Sequence, residues 1–129
     1  MSVRTILWIS IASCVLAAGG LALGQRVVSR KGEAAQQSIF LQAKAGKFNE
    51  VNPPLLVRRG IPVELTVRNA ESGAIAHDFV LVGLGIRTPK PLQPGESASL
   101  RFTPSRSGEF AYTCSLHPGL MDGRLIVRP

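Results

Sequence analysis

The chain predicts an all-β domain, a sandwich or barrel of about seven short strands, preceded by a single apolar helix at the N-terminus. Three observations carry this. Apolar and polar residues alternate with the two-residue period of a half-buried strand at several places after residue 37. Clusters of Gly, Pro, Asn and Ser punctuate those stretches at short intervals. Nothing beyond the N-terminal apolar run carries a helical period, and there is no internal repeat.

The apolar element comes first. Behind a short basic head ending in Arg4, residues 5–24 are twenty uncharged, mostly apolar residues. That is long for the core of an export signal and about right for a spanning helix, so residues 1–24 read as a signal peptide or a membrane anchor. Small residues at Ala22 and Gly24 would permit cleavage before Gln25. Cys14 weakly resembles a lipidation site, but the apolar run continues for ten residues beyond it, where a lipidated chain would turn polar. Residues 25–37 are polar, lack periodicity and read as a flexible tether.

Residues 38–129 then form one small domain. Ile39, Leu41 and Ala43 alternate with polar neighbours, as do Val63, Leu65 and Val67, and later Ala98, Leu100 and Phe102. Phe79 to Val82 is a fuller apolar run, Phe110 and Tyr112 lead into Cys114, and Leu125, Ile126 and Val127 close the chain. Turn signals fall at Asn52–Pro54, Arg59–Gly60, Asn69–Gly73, Pro94–Gly95 and Ser107–Gly108.

The chemistry is concentrated near the C-terminus, where Cys114, His117 and Met121 fall within eight residues. Taken singly, a buried cysteine or methionine is usually core filler and a buried histidine usually a hydrogen-bonded core residue. Taken together they are the only cysteine outside the N-terminal segment, one of two histidines, and the only methionine after the initiator. A thiolate, an imidazole and a thioether suit copper better than other common biological metals. The remaining histidine, His77, precedes the Phe79–Val82 run and would complete a His2CysMet set, the trigonal electron-transfer copper site. Cys114 has no partner for a disulfide within the folded domain, so a metal is what would occupy its thiol in an oxidising compartment.

His77 followed much later by Cys-x2-His-x3-Met, a glycine and an apolar terminal strand resembles the cupredoxins, the type 1 blue copper proteins of the plastocyanin, amicyanin and azurin kind. The resemblance runs from about Ser38 to Pro129. It implies a Greek-key β-sandwich holding one copper ion, with His77, Cys114, His117 and Met121 as ligands and Met121 the long axial one. It also implies that the backbone N–H of Asp78 donates to the Cys114 sulfur. Asp78 stands where many relatives carry asparagine, and Leu116 where some carry proline, which leaves a second N–H for the sulfur and predicts a lower potential. Leu116, Pro118, Gly119 and Leu120 would form the apolar rim at which redox partners dock, with His117 as the exit for the electron.

The resulting expectation is an exported carrier of single electrons, with periplasmic copper delivery as the alternative. A copper thiolate competes poorly in the thiol-rich cytoplasm. This sets aside the positive-inside count, in which Arg26, Arg30 and Lys31 outweigh Arg4 and favour the opposite topology. Four filled ligand positions leave no open site for substrate, and no Ser/His/Asp arrangement, carboxylate pair or phosphate loop is present, so no enzymatic activity is expected. Only Arg4 of the 15 basic residues precedes Gln25, leaving 14 against 8 acidic ones, a net of +6. That charge steers toward acidic redox partners, such as a cytochrome or oxidase, or toward anionic lipid. Without aromatic and basic interleaving it does not suggest nucleic acid. A monomer is expected, tethered to the membrane if the N-terminal segment is retained.

Overall fold

The computed structural model describes residues 35–129. The apolar segment 1–24 with its expected helix, and most of the tether 25–37, lie outside the described residues. The nine strands are β1 (Gln37–Lys44), β2 (Lys47–Phe48), β3 (Leu55–Arg58), β4 (Val63–Asn69), β5 (Val80–Leu81), β6 (Ile86–Arg87), β7 (Ser97–Phe102), β8 (Gly108–Thr113) and β9 (Gly123–Arg128). They form two sheets, β2-β1-β4-β7 and β3-β9-β8-β5-β6, packed as the expected sandwich.

Alternation does what it predicts. In β4, Val63, Leu65, Val67 and Asn69 point inward, and the residues between them are more exposed. The parallel register with β1 sets Leu41 beside Val67 and Ala43 beside Asn69, so both strands bury the same face. The opposite sheet answers with Leu55 and Val57 of β3 beside Leu125 and Val127 of β9, also parallel. Between the sheets Phe48, Phe79 and Tyr112 form an aromatic cluster with ring centroids 5.3 to 5.7 Å apart.

Three strands escape the sequence reading. β2 and β6 are two residues each, too short to show a period. β3 is four residues squeezed between Pro54 and Gly60, where turn signals dominate, and as the edge strand of its sheet it tolerates the proline just ahead of it.

Two residues anchor the end of the sandwich that carries the candidate ligands. Tyr112 is fully buried and its hydroxyl donates to the Pro53 carbonyl at 2.8 Å. Its ring lies over Gly123, directly opposite in the β8–β9 ladder, and a Cβ on Gly123 would sit 2.1 Å from a ring carbon. Asn69, which the sequence places at the start of a turn, is instead the last residue of β4 and is wholly buried. Its Nδ2 donates to the carbonyls of Ile75 (2.7 Å) and Leu92 (2.8 Å), and its Oδ1 accepts from the Glu71 N–H (3.0 Å). One amide side chain therefore closes the loop that leads to His77.

Candidate metal centre

Cys114 directly follows the last residue of β8, and two consecutive β-turns carry the chain away from it. The first closes with the His117 N–H on the Cys114 carbonyl, the second with the Leu120 N–H on the His117 carbonyl, both at 3.2 Å. The second turn has Pro118 and Gly119 at its corners with Gly119 at φ +82°, the type II arrangement that demands glycine there. These turns translate the Cys-x2-His-x3-Met spacing into a compact loop. The Leu120 carbonyl accepts from Asn52 Nδ2 (2.9 Å) and Lys47 Nζ (3.4 Å), tying the loop to β2, the edge strand of the other sheet, and to the turn that follows it.

Met121 is not part of β9. It lies two residues ahead of that strand, because the β8–β9 ladder ends at the Tyr112–Gly123 pair, where the Tyr112 ring occupies the space above Gly123. Its side chain is nevertheless fully buried, in the same core cluster as Cys114. His77 lies outside the named strands, held through a single bridge in which its N–H and carbonyl pair with Leu92 at 3.1 and 2.7 Å.

The loop and the bridge bring three donors together. Cys114 Sγ is 3.5 Å from His117 Nδ1 and 3.9 Å from His77 Nδ1, and the three donor atoms all lie within 4.8 Å of one another. The two imidazole rings are 4.8 Å apart between centroids and tilted by 48°. Cys114, His77 and Met121 are all completely buried, whereas His117 is half-buried and reaches the surface. Around it Leu116 and Leu120 are 44% and 56% exposed, and Pro118 and Gly119 are exposed as well.

The Asp78 N–H donates to Cys114 Sγ at 3.4 Å, and the Leu116 N–H, present because position 116 is not proline, helps to stabilise the thiolate form. Burial pushes the Cys114 thiol up from its ordinary pKa, these two N–H groups pull it down, and the nearby Asp78 carboxylate adds to the rise. A bound cation would have to displace that proton. The Asp78 carboxylate itself is buried and joins the segment after His77 to the ligand loop. It accepts from the N–H of Ser115 at 2.6 Å and from the Ser115 hydroxyl, with Arg87 at 3.6 Å.

Sequence reasoning missed three supporting residues. Asn52, Asn69 and Glu71 fall in turn-rich stretches whose composition signals a bend and nothing more. Glu71 matters most, since its Oε1 accepts from His77 Nε2 at 3.0 Å. That bond, the largest influence, holds the Glu71 carboxyl below the ordinary carboxylate range.

A thiol, two imidazoles and a buried thioether gathered at one end of a rigid sandwich are the donor set of a single copper ion, and the residues present fit it. The chain shares its fold with auracyanin A, a blue copper protein from Chloroflexus aurantiacus, at 20% identity and a TM-score of 0.63 over 73% of this chain and 100% of that one. It is similar to the metal-binding domain of the Cu(I)-exporting P-type ATPase of Streptococcus pneumoniae, at 23% identity and a TM-score of 0.62 over 76% and 91% of the two chains. It is also similar to part of a copper-containing nitrite reductase from Thermus scotoductus, at 24% identity and a TM-score of 0.61, covering 74% of this chain and 28% of that one. No curated protein matches the sequence. The family described as Cupredoxin-like domain matches residues 6–127, nearly the whole chain and all four candidate ligands, and the protein belongs to that family.

Proposed function

We propose that this protein is an exported carrier of single electrons and not an enzyme, its copper held by His77, Cys114, His117 and Met121. The observation that carries the reading is the asymmetry of the site: three of the four donors are fully buried, and His117 alone reaches the surface, through an exposed apolar rim. Copper in such a donor set supplies a Cu(I)/Cu(II) couple. The protein's part is to hold the donors still. Cys114 is fixed by the end of β8, His77 by its bridge to Leu92, and the ligand loop by its two turns and the clamp on Leu120. A frame that does not move between oxidation states keeps the cost of electron exchange low, and four protein donors leave no position for substrate.

The rim of Leu116, Pro118, Gly119 and Leu120 is the docking surface, and the net charge of +6 on residues 25–129 steers acidic redox partners toward the domain. Leu120→Lys should slow stopped-flow exchange with an acidic cytochrome while leaving the visible spectrum in place, because Leu120 is not a ligand. For both proteins the rate should fall between 0.01 and 0.1 M salt, as the Debye length shrinks from ~30 to ~10 Å. Equal rates for mutant and original at every salt concentration would move the docking surface elsewhere. A second expectation concerns Met121: Met121→Leu should keep the colour and raise the potential, since loss of a thioether donor weakens Cu(II) binding more than Cu(I) binding. An unchanged potential would leave Met121 as core packing.

The export assignment rests on the apolar segment 1–24, which would either be removed or tether the domain to the outer face of the membrane. The likeness to a Cu(I)-exporting ATPase domain supports one alternative, reversible Cu(I) binding for delivery. A delivery protein would hand copper readily to a competing chelator and give a weak visible band. A carrier would do neither.

A further inference from the structure

Glu71 lies outside the four donors, yet its carboxylate meets the nitrogen of His77 that faces away from the sulfur. The His77 ring is turned so that Nδ1 looks toward Cys114 Sγ at 3.9 Å and Nε2 toward Glu71 Oε1 at 3.0 Å. A carboxylate only accepts hydrogen bonds, and a neutral imidazole has one N–H to give. The proton therefore sits on Nε2, and Nδ1 presents its lone pair to the site. The pair is well covered, with side-chain exposures of 1% for His77 and 10% for Glu71, so the bond is shielded from water and salt.

Independent contacts hold the carboxylate in place. The same Oε1 accepts the backbone N–H of Ala45 at 2.6 Å, and the Glu71 N–H is fixed by the buried side chain of Asn69 at 3.0 Å. Asn69 also grips Ile75 and Leu92, and Leu92 pairs with the His77 backbone. Glu71 and His77 are thus the two ends of one loop closed by a single buried amide. His117 differs: among the described residues no carboxylate pairs with it.

We infer that Glu71 is a positioning residue for the copper centre, which locks His77 in its Nε2–H tautomer and, through the imidazole, lends negative charge that favours Cu(II) over Cu(I). The inference rests on the reading of His77 as a ligand. The physical basis is that a carboxylate behind a ligating imidazole raises its basicity, and the doubly charged ion gains more from it than the singly charged one.

Two variants of the full chain, purified in detergent, separate geometry from charge. Glu71→Gln keeps an amide oxygen able to accept from both His77 and Ala45 but removes the charge, whereas Glu71→Ala removes both. In the metal-free protein at one neutral pH, 15N NMR of the imidazoles should show His77 as Nε2–H in the original and in Glu71→Gln, and a substantial Nδ1–H population in Glu71→Ala. With copper bound, Glu71→Gln should keep its colour but lose about tenfold in preference for Cu(II) over Cu(I), a rise in potential of about 59 mV for one electron. A merely structural role would leave that potential alone. An Nε2–H tautomer that survives Glu71→Ala, or a potential unmoved in Glu71→Gln, overturns the role; should Glu71→Ala not fold, the potential of Glu71→Gln decides. Failure of the copper reading looks different, because then the unmutated protein would form no strongly coloured complex although its His77 tautomer would still answer to Glu71.

Discussion

Given one equivalent of Cu(II), the protein should turn intensely blue or green, and Cys114→Ser should stay colourless. The band arises from charge transfer out of a thiolate, and Cys114 is the one cysteine among the described residues, fully buried and within 3.5 and 3.9 Å of the two imidazole Nδ1 atoms. A serine hydroxyl at the same place is a hard, weakly acidic donor that neither gives up its proton readily nor offers the polarisable electrons the transition needs. The substitution is nearly isosteric in a buried position, so the fold should persist and the loss should be confined to the metal. Visible absorption of the two proteins after titration with Cu(II) is the measurement. A pale complex in the unmutated protein, or a strong band in Cys114→Ser, would overturn the assignment of the thiolate.

The largest expected effect on stability comes from Gly123→Ala. A methyl group there would lie 2.1 Å from one atom of the Tyr112 ring and 2.2 Å from its hydroxyl oxygen. Tyr112 has little room to give way, being packed against Phe48 and Phe79 and tied through its hydroxyl to Pro53. Overpacking of this kind costs about 3 kcal/mol, the upper part of the usual range, and for a domain of this size that lowers Tm by roughly 12–24 °C. Thermal melts of the copper-free protein should show it. The cause can be isolated with a second change: in a Tyr112→Leu background, Gly123→Ala should cost much less, because the clashing ring is gone. Equal losses in both backgrounds would place the damage in the backbone and not in the ring. Since Gly123 also sets where β9 begins, the same substitution should disturb the position of Met121.

Much of this was legible in the chain alone. Two-residue alternation marked β1, β4 and β7 because each buries one face against the opposite sheet, and that burial is written residue by residue. The four donor residues were legible for another reason: three are compressed into eight residues, so two turns suffice to gather them, and His77 was the only histidine left to join them. Even the bond from the Asp78 N–H to the sulfur was foreseen, from the family pattern.

Tertiary structure alone decided the remainder. The two-residue strands β2 and β6 exist through pairing with neighbours and carry no period of their own. Asn69 looked like the opening of a turn, and only its place in the parallel β1–β4 ladder, beside Ala43 on the buried face, shows that it must spend its amide on Ile75, Leu92 and Glu71. Asn52 reaches the ligand loop across 68 residues of sequence, a contact that no local pattern encodes. Glu71 is the clearest case. Its carboxylate meets His77 because a loop folds back on itself around one buried side chain, and hydrogen bonds between residues so placed depend on the path of the backbone and not on the composition of the segment.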